Sequence, residues 1–126
     1  MAAKIFLIGL AGALGTLCRY GLTALIAPRF SEEHSFAATM VVNVLGCFLF
    51  GLVWALCEER ELLRIDHRMI VLVGFMGAFT TFSTYIFENN QLFFKSSPGL
   101  ALLNLSLQNL LGFGAMFLGL MLGGID

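Results

Sequence analysis

Residues Gly77 to Thr84 read Gly-Ala-Phe-Thr-Thr-Phe-Ser-Thr, and they fall inside an uncharged apolar run from Met69 to Phe87. That run is long enough to cross a bilayer. The hydroxyls of Thr80, Thr81, Ser83 and Thr84 are out of place in hydrocarbon. With no water at that depth, each must bond to backbone, to a neighbouring helix or to something passing through. Back-bonding to the preceding turn satisfies one or two such groups. A denser cluster points to a polar-lined path, and so to the chemistry of ion or solute permeation.

Three other spans carry polar groups at helical spacing. Thr39, Asn43, Gly46 and Phe50 share one face of a second apolar run. An Asn in a membrane span is more often interhelical glue, contributing roughly 0.6 to 2 kcal/mol, than a ligand; company at the same depth weakens that reading for Asn43. Asn104, Gln108 and Gly112 follow one another at steps of i+4, with Ser106 and Asn109 nearby, as a polar stripe on an apolar helix. Such a stripe is better explained by water or ions moving beside it than by packing alone. In the first run Gly12, Gly15 and Arg19 share a face. The glycines read as a packing seam. Arg19 is too deep to snorkel easily and must face protein or a wet vestibule, as a structural anchor or as an attractor of anions. Phe75, Phe79 and Phe82 lie beside the hydroxyl cluster, and a ring presented edge-on offers an anion its positive rim.

The elements that position these residues follow from composition. The chain has 126 residues, is 59% hydrophobic and 12% charged, and has a mean hydropathy of +0.91, values of an integral membrane protein rather than a soluble domain. Four apolar stretches, about 5–27, 36–57, 69–94 and 100–123, predict four transmembrane helices in a single all-α domain over 1–126. Gly74, Gly77 and the β-branched Thr80-Thr81 pair are poor formers of a continuous helix. The third helix is expected to break near Gly77 to Thr81, at mid-membrane. A break exposes carbonyls of one half-helix and amides of the next, the means by which membrane proteins build ion sites.

Loop charge is sparse. With the termini in the cytoplasm, Lys4, Arg60, Arg64 and Arg68 lie inside against Arg29 and Lys95 outside, a bias slight enough to permit insertion both ways. Glu32 and Glu33 fall in the first loop, and Glu58, Glu59, Glu61 and Asp66 in the second. Ala11-Gly12-Ala13 has the look of a signal-peptide cleavage site, but the hydrophobic run continues past it and the first span is expected to be retained. Cys18, Cys47 and Cys57 show no metal-ligand spacing and read as small hydrophobes. His34 and His67 show no partner pattern, and a net charge of -1 carries no signal for nucleic acid.

The chain resembles the Fluc-type (CrcB) fluoride channels of bacteria and other microbes. The resemblance covers nearly the whole length and rests on Gly12-x-x-Gly15-x-x-x-Arg19-Tyr20, on Thr39-Met40-Val41-Val42-Asn43-Val44-Leu45-Gly46, and above all on Gly74 through Tyr85 followed by Glu88. It implies a multi-pass protein of the bacterial plasma membrane. It implies an antiparallel dual-topology dimer, homodimeric or paired with a paralogue, whose third helices cross around a structural sodium ion. Backbone carbonyls of Gly77 and Thr80 would ligate that sodium. Two pores would be lined by Asn43, Phe82, Tyr85, Thr39, Thr81, Ser83 and Thr84, with Asn104 and Gln108 on the fourth helix and Arg19 as vestibule residue or anchor. Fluoride would leave passively down its gradient, relieving toxicity caused by hydrogen fluoride that enters as a neutral acid. Two positions depart from the pattern: Tyr85 stands where a second pore-facing Phe is usual, and Asn104, Gln108 and Gly112 stand where a Tyr and Ser track is expected.

Two rivals differ in class. A small proton-coupled exporter needs a membrane-embedded carboxylate, and Glu88 is expected at a span's edge with the remaining acids in loops or at the terminus. A structural membrane subunit explains each polar residue singly but not the break. An enzyme is not expected, because no base, nucleophile and metal cluster can be assembled at one depth.

Overall fold

In a computed structural model the chain is described over residues 1–31, 34, 36–59 and 65–125, without the side chains of Glu59, Ile65 and Asp66. The loop charges Glu32, Glu33, Arg60, Glu61 and Arg64 lie outside the described residues, as does Asp126. Every regular element among the described residues is helical: α1 (Ala2–Ile26) with a 3-10 turn (Ala27–Arg29), α2 (Phe36–Glu59), α3 (Ile65–Met69), a π-helical segment (Ile70–Met76), α4 (Gly77–Phe79), α5 (Phe82–Gln91), a second π-helical segment (Leu92–Ser96) and α6 (Pro98–Gly123). Four stretches are long and apolar enough to cross a membrane, Ala2–Arg29, Phe36–Glu58, His67–Ser96 and Pro98–Gly123. The protein is therefore an all-α, multi-pass membrane protein, and the third span is composite, running from α3 through the second π-helical segment.

Local chemistry sets the boundaries. Pro98 opens α6, where a missing N–H is harmless, and Gly124 closes it in the left-handed region at φ 107°. Beyond Gln91 the backbone continues as π-helix to Ser96, so Glu88, Asn89 and Asn90 fall inside the third span.

Small residues decide how the helices meet. α2 packs chiefly against α6, and α1 against the first half of the third span. A Cβ added at Gly119 would collide with the Phe48 carbonyl, and one at Gly15 with the Phe75 carbonyl, so both contacts bring backbone to backbone. In hydrocarbon, where apolar burial supplies little drive between helices, such close van der Waals contact holds a bundle together. Phe36, Leu92 and Ala101 form a small apolar cluster joining the start of α2, the second π-helical segment and α6. At one edge Arg68 bonds Glu58 at 2.6 Å and lies 3.6 Å over the Trp54 ring, tying the end of α2 to the start of the third span.

Much apolar surface stays outside. Ile5, Phe6, Leu10, Leu14 and Leu17 of α1 and Leu110, Phe113, Phe117 and Leu122 of α6 are exposed, as befits helices that face lipid or another chain.

Candidate functional site

The backbone leaves the helix at Thr80 (φ -87°, ψ 158°) and Thr81 (φ -146°, ψ 116°), both extended, and resumes at Phe82. Two β-branched residues in succession favour that conformation. Thr81 then caps α5: its Oγ1 accepts from the Thr84 amide at 3.3 Å and donates to Thr84 Oγ1 at 3.0 Å. Thr80 Oγ1 turns back to the Met76 carbonyl at 3.1 Å.

Neighbouring helices hold the interruption from two sides. The Thr81 amide, which in a continuous helix would bond Gly77 O, donates instead to Asn43 Oδ1 at 2.9 Å. The Thr84 amide, the helical partner of Thr80 O, is the one taken by Thr81 Oγ1. Arg19 Nε donates to the Ala78 carbonyl at 3.2 Å, placing a cation at the negative end of the short α4 turn. Gly46 leaves room for the Thr80 methyl and the Phe79 ring.

Asn43, Cys47, Thr80, Thr81, Phe82 and Tyr85 line an open pocket of about 190 Å³ at this point. Phe82 and Tyr85 meet at 5.9 Å between ring centroids, tilted by 56°. Behind the pocket, Asn43 Nδ2 donates to Thr81 O at 3.2 Å and to Gln108 Oε1 at 3.0 Å. Gln108 Nε2 donates to Asn104 Oδ1 at 3.1 Å, Asn104 Nδ2 to Asn89 Oδ1 at 3.2 Å, and Asn89 Nδ2 to the Tyr85 carbonyl at 2.7 Å.

The residues singled out from sequence fall into three groups. Asn43, Thr80, Thr81, Phe82 and Tyr85 come together at the pocket; Asn104, at 0% exposure, and Gln108, at 7%, are buried behind it. Thr84 closes the cap, and Ser83 is exposed at 3.5 Å from Thr81 Oγ1. Thr39 points to Glu88, donating to its Oε1 at 2.6 Å, while Arg19 anchors α1 to the interruption.

One sequence expectation is corrected. Glu88 does not sit at the edge of its span; it lies well inside a segment that continues to Ser96, and its Oε2 is buried with no partner among the described residues. The Glu88-Asn89-Asn90 triplet looks like a span end because it is polar, but each Asn bonds a carbonyl of the preceding turn, Tyr85 O at 2.7 Å and Ile86 O at 3.0 Å. Polar groups satisfied within the helix need not leave the membrane.

The sequence does not single out Asn89, and it places Asn109 only beside the α6 stripe. Asn109 Nδ2 donates to the Tyr85 hydroxyl at 2.7 Å, and that hydroxyl donates to Leu105 O at 3.3 Å. The i+4 spacing of Tyr85 to Asn89 was readable in sequence; the reach of Asn89 to Asn104 needed the fold.

An interrupted span whose polar pocket is shared with neighbouring helices defines a class, the small multi-pass membrane proteins with a polar site at a broken helix. Residues 6–120 match the family described as CrcB-like protein, Camphor Resistance (CrcB), and the chain belongs to that family. It is 53% identical over 124 residues to a protein of Solidesulfovibrio magneticus named Fluoride-specific ion channel FluC, covering 98% of each chain. A protein of the same name from Nitrosococcus oceani is 51% identical over 119 residues, 94% of each chain. One from Parabacteroides distasonis is 34% identical over 120 residues, 95% of this chain and 92% of the relative.

Proposed function

We propose that this protein is a fluoride-selective channel of the bacterial inner membrane, which lets fluoride leave the cytoplasm passively and so lowers its toxicity. The reading takes the substrate from the relatives' names, and the observation that carries it is the pocket where Asn43 is keyed to the Thr81 backbone beside Phe82 and Tyr85. An amide donor beside aromatic rings, whose rims carry partial positive charge, suits an anion that must be stripped of water, held weakly and released. The proposed pathway includes Asn43, Phe82, Tyr85, Thr39, Thr81, Ser83 and Thr84, with Asn104 and Gln108 contributing from α6. The role is transport, not catalysis.

The functional unit in this reading is an antiparallel dual-topology dimer, with the interruption at Thr80 and Thr81 at mid-membrane and the third spans of two subunits crossing there. A structural sodium ion belongs at that crossing. The residues fit a hard cation, which takes oxygen ligands: the amides that would occupy the Gly77 and Thr80 carbonyls in a continuous helix donate elsewhere. Sodium, held by those carbonyls, would supply positive potential beside the anion route, to which Arg19 adds.

Efflux from liposomes holding the purified protein tests the reading, with potassium and valinomycin clamping the potential. Rapid fluoride loss with chloride retained is expected; equal loss of both anions, or of neither, would refute it. Proton-coupled export is the second reading, favoured by the carboxylate of Glu88 inside the span. It requires that efflux follow an imposed pH gradient and stop in Glu88→Gln, whereas passive flow follows the fluoride gradient alone.

A further inference from the structure

Four side-chain amides form one unbroken series between two backbone groups of the third span. It begins at the Thr81 amide, which donates to Asn43 Oδ1 (2.9 Å), and passes from Asn43 to Gln108 (3.0 Å), from Gln108 to Asn104 (3.1 Å) and from Asn104 to Asn89 (3.2 Å). It ends where Asn89 Nδ2 donates to the Tyr85 carbonyl (2.7 Å). A backbone N–H only donates and a backbone C=O only accepts. Both ends therefore demand the same orientation of every amide between them. Turning one amide over would set donor against donor on one side and acceptor against acceptor on the other. Buried links aligned in this way polarise and reinforce one another.

The consequence falls on Asn43. Its two amide protons are both committed, to Thr81 O at 3.2 Å and to Gln108 Oε1 at 3.0 Å. An anion that takes a proton of Asn43 must displace an amide oxygen. The Gln108 oxygen is the displaceable one, since it sits on a side chain, and Asn104 and Asn89 hold it forward.

We propose that Gln108 is a specificity-determining residue, an internal competitor for the Asn43 donor, and that Asn104 and Asn89 are positioning residues that keep its carbonyl oxygen turned toward Asn43. This rests on the reading of Asn43 as an anion contact. A small anion of high charge density forms a charge-assisted hydrogen bond stronger than a neutral amide pair, and so displaces Gln108 Oε1. A larger, weaker acceptor such as chloride leaves it in place. One proton of the Gln108 NH2 group donates to Asn104 Oδ1, and that bond turns the oxygen of Gln108, not its nitrogen, toward Asn43.

The test compares fluoride and chloride efflux from liposomes for the wild type, Gln108→Leu, Asn104→Leu and the double variant Asn89→Leu/Asn104→Leu, alongside thermal unfolding of each in detergent. Gln108→Leu leaves Asn43 an uncontested donor, and chloride efflux relative to fluoride is expected to rise about tenfold. Asn104→Leu shifts the ratio the same way by a smaller factor and loses stability, because the Asn89 oxygen and the Gln108 amide lose partners. The double variant removes both sides of the Asn104–Asn89 link; it regains part of that stability while the ratio stays altered. If the ratio returns to the wild-type value along with stability, the series serves packing only and the inference is overturned. An unchanged ratio in Gln108→Leu overturns it as well. A wild type that moves no fluoride removes the reading of Asn43 and the inference with it, whereas a selective wild type with equally selective variants defeats the inference alone. Should Asn104→Leu fail to fold, Gln108→Leu and the double variant decide the matter.

Discussion

Asn43 is bonded through both ends of its amide, to the backbone of Thr81 and to Gln108, so its removal has two separable effects. Asn43→Ala leaves the half-buried Thr81 N–H without its Asn43 partner, which costs about 1 kcal/mol, and removes the donor at the pocket. We expect fluoride efflux to be lost while the purified protein keeps its oligomeric state by size-exclusion chromatography; loss of assembly instead would assign Asn43 to packing. Tyr85 illustrates the opposite case. Its hydroxyl, which in a pore would need a partner, finds one on α6 in Asn109, and it donates in turn to Leu105 O. Asn109 Nδ2 also bonds Leu105 O at 2.7 Å and so is not orphaned when the hydroxyl goes. Tyr85→Phe is therefore expected to lower stability by only about 1 kcal/mol, seen as a small fall in thermal midpoint, and to retain fluoride efflux because the ring edge remains. A collapse of efflux in Tyr85→Phe would place the hydroxyl itself on the path.

The interrupted third span is held by α1 and α2 as much as by its own sequence. Arg19 reaches the Ala78 carbonyl, and the glycines of α1 let the backbone approach close enough for that reach. Arg19→Met keeps the aliphatic stem and removes the donor. We expect it to cost about 1–3 kcal/mol and to slow efflux without changing the fluoride-to-chloride ratio; an altered ratio would make Arg19 an anion contact rather than an anchor. The α2–α6 contact is tested by glycine. A Cβ at Gly119 meets the Phe48 carbonyl and Leu52 amide, whereas one at Gly114 meets nothing within 4 Å. Overpacking of about 1–3 kcal/mol is expected for Gly119→Ala and almost none for Gly114→Ala, read as thermal midpoints in detergent. These elements were legible in outline. The four spans follow from hydropathy, and the weak helix formers at Gly77 to Thr81 mark where the backbone turns extended. The third span, expected to end near 94, ends at Ser96; the place of Glu88 inside it was not legible, because Asn89 and Asn90 satisfy their side chains on carbonyls of the preceding turn and Glu88 finds a partner on another span, in Thr39.

At the scale of the molecule, the pocket is open, Phe82 in its lining stands 75% exposed, and α1 and α6 present long apolar faces. A second subunit covering Phe82 is what the proposed dimer supplies. If a structural sodium joins the two third spans, replacing sodium by a bulky organic cation during purification should dissociate the dimer or abolish efflux. Unchanged assembly and conduction in sodium-free solution would remove the central cation from the proposal.

By itself the sequence determined the class of environment and the number of spans, because a bilayer imposes length and hydropathy on every helix that crosses it. The family resemblance put Asn43, Thr81, Phe82 and Tyr85 on one path and Thr80 at a cation site, and all five line one pocket. Only the tertiary structure decided the pairing among amides. Asn43, Asn89, Asn104 and Gln108 come from three different spans, and spacing along one helix carries no information on which residue of another will meet it. Backbone contact at the glycines brings the helices to the distance at which those side chains reach each other, and the Thr81 amide and Tyr85 carbonyl then settle which way each one turns.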